Sequence, residues 1–292
     1  MTSAAISFSW RKSVLLLILG LLLSCPQSYA QTNTTSSARW PDQALGEQNP
    51  LLYALAWKQT AAEYQALYHQ GFNIARLHVQ AALDKRQAGD KPLAVVTDVD
   101  DTIVHVLNYW GYLVNNGKDF FEDPLWDQWI AQNLITAAPG ALDFLRFCAD
   151  NNVEVFYVTS RDQGEPTLQI ALSNLDHIAA PFVDETHVTV LRETSNKELR
   201  QHEIMQTHQV VVMLGDNLND FRRKYYIRSD VEGRLQAMEE DRNLFGIEYI
   251  LFPNPTDGHW LAAIFGDSEP EASAENRQLL QEAASRQAWP GP

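Results

Sequence analysis

The hydrophobic positions of this chain follow two spacings in turn. Over residues 51–88, Trp57, Ala61, Tyr64, Tyr68, Phe72, Ala75 and Val79 recur every three or four positions, which predicts helix with one face on a core. Gly71 sits inside that run and predicts a break into two helices at that point. Gly89-Asp90-Lys91-Pro92 closes the segment. The next run, Leu93-Ala94-Val95-Val96-Thr97, is apolar at successive positions and predicts a strand buried on both faces. Four more short runs read the same way, at 153–158, 188–191, 210–214 and 248–252. Helical spacing separates most of them, at 141–149 with Leu142, Leu145 and Phe147 inward, at 167–174 and at 195–206. Strands alternating with helices at this interval predict an α/β fold, a parallel sheet with helices on both faces.

One region departs from the pattern. Asn108-Tyr109-Trp110-Gly111-Tyr112, Asn116-Gly117-Lys118 and Trp126-Asp127-Gln128-Trp129 are dense in aromatic and turn residues, so about 104–139 is expected to be a small cap inserted over the strand ends. Residues 50–266 then form the main domain, and 267–292 a polar, acidic link ending in a helix over 277–287.

The first thirty residues carry a different signal. Arg11 and Lys12 precede ten apolar residues over 14–23, a run too short to span a bilayer, and Ser28-Tyr29-Ala30 suits cleavage after Ala30. This predicts a secreted or periplasmic protein with a flexible linker over 31–49. Leu22-Leu23-Ser24-Cys25 is a rival reading as a lipoprotein box, which would lipidate Cys25 and tether the protein to the outer membrane. Membrane association is expected only in that case.

Composition narrows the partners. Across 292 residues the formal charge is -15, which disfavours nucleic-acid polymers and anionic surfaces. The two cysteines, Cys25 and Cys148, exclude a disulfide scaffold, and no Cys/His cluster has zinc spacing, so a bound metal would be held by oxygen.

The chemistry lies where strands end. In an open α/β sheet, residues beyond the carboxyl ends of the strands converge on one crevice. Here they are Asp98 and Asp100 after the first strand, Thr159 and Ser160 after the second, and Asp216 and Asp220 after the fourth, with Lys197 within reach. Asp98 is expected to attack phosphorus, and Asp100 to move the proton. Asp98, Asp100 and Asp216 are expected to ligate Mg2+, with Asp220 behind them. Thr159, Ser160 and Lys197 are expected to bind phosphate oxygens. Trp126 and Arg161 are candidate walls for the rest of the substrate. A calcium loop is set aside, since its sixth and twelfth positions fall on Ile103 and Tyr109.

These residues resemble the motifs of the haloacid dehalogenase (HAD) superfamily of aspartyl-phosphate phosphatases. Asp98-Val99-Asp100-Asp101-Thr102 is similar to its first motif, Phe156-Tyr157-Val158-Thr159-Ser160 to its second, Lys197 to its third and Gly215-Asp216-Asn217-Leu218-Asn219-Asp220 to its fourth. From residue 51 onward the chain is most similar to the secreted bacterial class C acid phosphatases, which include 5′-nucleotidases. The resemblance implies a Rossmann-like core, Mg2+, a phosphomonoester substrate and, often, a homodimer. Val104-His105-Val106 stands where the group has Leu-Asp-Asn, and Asp257 where nucleotide-hydrolysing members have an aromatic residue. The substrate question is therefore assigned to Trp126, His105 and Asp257. A phosphotransferase on the same fold, or a silent phospho-ligand binder, is the alternative function.

Overall fold

The computed structural model describes residues 49–291, so the expected signal segment, the Cys25 box and nearly all of the linker lie outside the described residues. Helices α1 (Leu51–Thr60) and α2 (Ala62–Lys85) come first. The break between them falls at Ala61, which is extended with ψ 123°, and Gly71 lies inside α2. The expectation of a break at Gly71 is thus corrected. A Cβ on Gly71 would stand 2.5 Å from Cε1 of Phe252, so the residue is small because the helix passes against that ring.

Strand β1 (Leu93–Thr97) is followed by an antiparallel ribbon of β2 (Val104–His105) and β3 (Thr136–Ala137), which encloses α3 (Leu107–Asn115) and α4 (Asp123–Ile130). Tyr109, Trp126 and Trp129 pack there with ring centroids 5.2 to 5.7 Å apart. Then α5 (Ala141–Asp150), β4 (Glu154–Ser160), α6 (Thr167–His177), β5 (Val188–Leu191), α7 (Glu198–Thr207) and β6 (Gln209–Gly215) alternate. The chain closes with α8 (Val231–Glu240), β7 (Tyr249–Leu251), α9 (Trp260–Phe265) and α10 (Ala274–Ala284).

The main sheet is parallel, in the order β5-β4-β1-β6-β7. Period-two geometry sends alternate residues to opposite faces. Leu93 and Val95 join Val155, Tyr157, Val212 and Leu214 in a core shared with Phe72 and Phe144 of α2 and α5. Ala94 and Val96 join Phe156, Val158 and Met213 in a second core with Ile204 of α7 and Phe221. Burial on both faces is why these strands read as continuous apolar runs.

Three local expectations are corrected. The inward face of α5 is Ala141, Phe144, Leu145 and Cys148, while Leu142 and Phe147 are half-buried, a rotation of one position. Helix α8 is additional to the elements expected: none of its residues is fully buried, Ala237 and Met238 pack only partly against the second core, and Asp230 caps it by accepting the Gly233 N–H at 2.8 Å. Helix α10 begins three residues early because the Ser273 hydroxyl accepts the Asn276 N–H at 3.0 Å.

Gly71→Val should lower stability by roughly 1 to 3 kcal/mol, because the added atoms overpack the contact with Phe252. A urea melt of the variant checks this, and an unchanged midpoint would contradict the close approach.

Candidate active site

Hydrogen bonding carries Asp98 past the end of β1: its N–H donates to the Leu214 carbonyl at 2.9 Å, extending the pairing with β6. The chain then turns within three residues. The Ile103 and Val104 N–H groups converge on the Val99 carbonyl at 2.9 and 3.0 Å, and Asp101 adopts φ 51°, a left-handed conformation that Asp tolerates better than most residues. At the end of β6 a second turn, Leu218–Asp220, is closed by the Asn217 N–H donating to Asp220 Oδ2 at 2.9 Å. Gly215 permits this, since a Cβ there would lie 2.5 Å from that of Asp220.

Neighbouring strands therefore bring three carboxylates together. Asp98, Asp216 and Asp220 each offer an oxygen, all within 4.8 Å of one another. Lys197, directly before α7, donates to Asp98 Oδ1 and, at 2.7 Å, to Asp220 Oδ1. A cation at a helix N-terminus opposes the helix dipole, so it is the carboxylates that hold this ammonium in place. Burial, and then the Asp220 and Asp100 charges, raise the Asp98 carboxyl above its ordinary range against the pull of Lys197. Asp216 is also pushed well above the ordinary carboxylate range, by burial and then by Asp220 and Asp98. Burial opposes the charge on Lys197, but Asp220 and Asp98 outweigh it and hold its ammonium above the ordinary value.

Asp100 is held apart from this trio. Arg161 grips it with two bonds, Nε to Oδ2 and Nη2 to Oδ1, both 2.6 Å, while Nη1 donates to Asn174 at 2.8 Å. The Thr159 hydroxyl lies 3.4 Å from Asp100 Oδ2. Arg161, expected as a substrate wall, thus lines the cavity with its guanidinium already committed.

All nine expected site residues border one cavity of about 450 Å3. Ser160 is exposed at its rim. Trp126 lines it too, although its ring packs mainly within the cap, 5.6 Å from Phe121 and 5.4 Å from Trp129. Asp257 borders the cavity and its carboxyl is pushed up to about 6, chiefly by burial. His105, whose role the sequence left open, is buried between Tyr64 and Tyr68 away from the cavity lining, and burial holds its imidazole down at about 4. It packs as a core residue and does not border the cavity.

Sequence reasoning missed the group behind the first motif. Asp101, Asn254 and Thr256 gather around the Lys58 ammonium, which donates to Asp101 Oδ2 at 2.8 Å. One signal was available. Leu51, Leu55 and Lys58 share the buried face of α1, and a lysine at an apolar position needs a buried partner.

The donor set suits a hard divalent cation. Three carboxylates supply oxygen only, and their mutual repulsion, visible in the raised Asp98 and Asp216 carboxyls, is what a bound cation would relieve. This constellation on a five-stranded parallel sheet defines a phosphatase-type site. Residues 21–260 match the family described as HAD superfamily, subfamily IIIB (acid phosphatase), and the chain belongs to it. The structure of the class C acid phosphatase from Bacillus anthracis is 32% identical, with 80% of this chain and 96% of that chain covered at a TM-score of 0.73. A crystal structure of the Bacillus anthracis class C acid phosphatase with tungstate bound gives the same values. The protein is an acid phosphatase of this class, a phosphomonoesterase.

Burial raises the Asp257 carboxyl from 3.8 to about 6, so its ionised form destabilises the fold above pH 6, and that penalty is gone below pH 4. Asp257→Asn should therefore stabilise the protein at pH 8, by up to about 3 kcal/mol, and leave it unchanged at pH 4. Thermal melts at the two pH values check the sign.

Proposed function

We propose that this protein hydrolyses phosphomonoesters through a phosphorylated Asp98, with Mg2+ as its cofactor. The observation that carries the reading is the cluster of Asp98, Asp216 and Asp220 around Lys197 at the head of the cavity. Lys197 favours the ionised, nucleophilic form of Asp98, and Thr159 and Ser160 supply hydroxyls for the equatorial phosphate oxygens. Asp98 attacks phosphorus, the leaving oxygen takes its proton from Asp100, and Asp100 then accepts a proton from the water that cleaves the aspartyl phosphate. Because Arg161 grips both Asp100 oxygens, one of these two bonds must open for the proton to pass. Asp98 and Asp216, with the Asp100 carbonyl, would hold the Mg2+, and Asp220 would anchor Lys197 beside them. When bound, the cation supplies positive charge opposite the phosphoryl oxygens.

The cavity wall bears on the substrate. Ten Asp and Glu residues line it against two Arg and one Lys, an imbalance that a single divalent cation does not reverse. Leaving groups with further negative charge are therefore disfavoured, and those that can lie against Trp110, Phe121 and Trp126 are favoured. Aryl phosphates fit this description, and 5′-nucleoside monophosphates are included as substrates with one phosphate. A role outside the cytoplasm follows from the signal over residues 1–30, with soluble release after Ala30 or an outer-membrane anchor at Cys25. The mass of the mature N-terminus distinguishes these two, and light scattering tests the implied homodimer.

Purified protein should release phosphate from an aryl phosphate, stop on addition of EDTA and resume with Mg2+. Asp98→Asn should lower kcat by roughly 10⁴-fold or more. Retention of activity in that variant would sink the assigned mechanism.

Arg161→Gln separates two roles. If the guanidinium serves Asp100, kcat falls by roughly 10- to 100-fold with little change in KM. A rise in KM at constant kcat would make it a substrate contact.

A further inference from the structure

Lys58 lies on α1, outside every phosphatase motif, and its side chain is fully buried. Its ammonium has three protons, and three acceptors surround it: Asp101 Oδ2 at 2.8 Å, Thr256 Oγ1 at 2.8 Å and Asn254 Oδ1 at 3.1 Å. Asn254 continues the path, because its Nδ2 donates to Asp216 Oδ2 at 2.8 Å. The other Asp216 oxygen accepts the Thr102 hydroxyl at 3.1 Å.

The order of this relay follows from what each group can do. A lysine ammonium only donates and a carboxylate only accepts, so an amide between them satisfies both in one orientation, oxygen toward Lys58 and nitrogen toward Asp216. Flipped, it would set its nitrogen against the ammonium and its oxygen against a carboxylate. Thr256 reinforces the choice, donating to Asn254 Oδ1 through its hydroxyl at 2.9 Å and its N–H at 3.2 Å. The ion pair is also poorly arranged for stability alone, since Asp101 Oδ1 is buried and finds no partner among the described residues. Buried pairs of that kind add little to folding, whereas groups that orient a metal ligand alter its affinity strongly.

We propose that Lys58 is a positioning residue for the cation-binding carboxylate Asp216: acting through the Asn254 amide, it sets how tightly the active site binds Mg2+. This rests on the divalent-cation site proposed above. It makes the N-terminal helix α1 a working part of the active site.

The test is calorimetric titration of the whole protein with Mg2+, without substrate. Lys58→Met/Asp101→Asn removes the ammonium without leaving an unpaired carboxylate, and Asn suits the left-handed position at 101. Its Mg2+ dissociation constant should rise about 10-fold, with catalysis recovering as Mg2+ is raised. Asn254→Ala should weaken binding about 10-fold in the native background and less than about 2-fold in the double variant, because the relay is already open there. Should the double variant fail to fold, Thr256→Val reads the same relay, with an expected weakening of about 3-fold. Native Mg2+ affinity in a folded double variant, or an equal effect of Asn254→Ala in both backgrounds, overturns the proposal and leaves the phosphatase reading intact. A native protein that binds no Mg2+ and ignores EDTA overturns both.

Discussion

The structure depends on a repulsion that it creates for itself. Parallel pairing of β1 with β6 sets Asp98 beside the end of a strand that continues into Asp216, and the turn after β6 folds Asp220 back onto the same point. Three carboxylates, two buried and that of Asp216 half-buried, then share a volume in which their charges destabilise one another, as the raised Asp98 and Asp216 carboxyls record. Lys197 offsets two of them directly, donating to Asp98 and Asp220. It neutralises part of the charge, and what remains is attraction for a divalent cation and for a substrate whose phosphate arrives with it. The site's affinity for its ligands is thus the counterpart of its instability without them.

Holding such a cluster requires a rigid frame, and the frame reaches well beyond the strand ends. Asp101 is pinned through its backbone carbonyl by the Tyr68 hydroxyl of α2 and through its carboxylate by Lys58 of α1. The turn between Asp98 and Asp100 therefore rests on the two N-terminal helices as well as on the sheet. On the far side Gln201 of α7 donates to the Asp220 carbonyl at 2.5 Å, and Arg234 of α8 donates to Asn217 and Asn219. Arg161 draws the Asp100 carboxylate toward Asn174, away from Asp98 and Asp220, which Lys197 holds.

The cap contributes surface of a different character. Its aromatic rings pack chiefly on one another, and Trp110, Phe121 and Trp126 border the cavity, so the wall facing the leaving group is the margin of a small hydrophobic core. A wall of that kind is stiff and apolar, with Asp123, Asp257 and Glu269 around it. The Asp257 carboxyl is pushed up to about 6, chiefly by burial. In the proposed mechanism, phosphate transfer and selection of the leaving group therefore fall to different elements.

Local pattern was enough for much of this. A continuous apolar run must be buried on both faces, so the five strands and the α/β class could be read directly from residues such as 93–97 and 210–214. Strand ends converge in such a sheet, so Asp98, Thr159, Lys197 and Asp216 could be grouped before any coordinates. Helix α8 could not, because none of its residues is fully buried and its apolar contact with the core is confined to Ala237 and Met238. Gly71 looked like a helix break because its reason for being small, the Phe252 ring, lies 181 positions away in the chain. The same holds for Lys58 with Asn254, Arg161 with Asp100, and His105 among its tyrosines: each is a contact between distant segments, with no spacing of its own to betray it. The sequence by itself determined which residues terminate the strands and what chemistry their side chains can perform. Tertiary structure alone decided which cation faces which carboxylate, since charge pairing depends on distance in space and not on order along the chain.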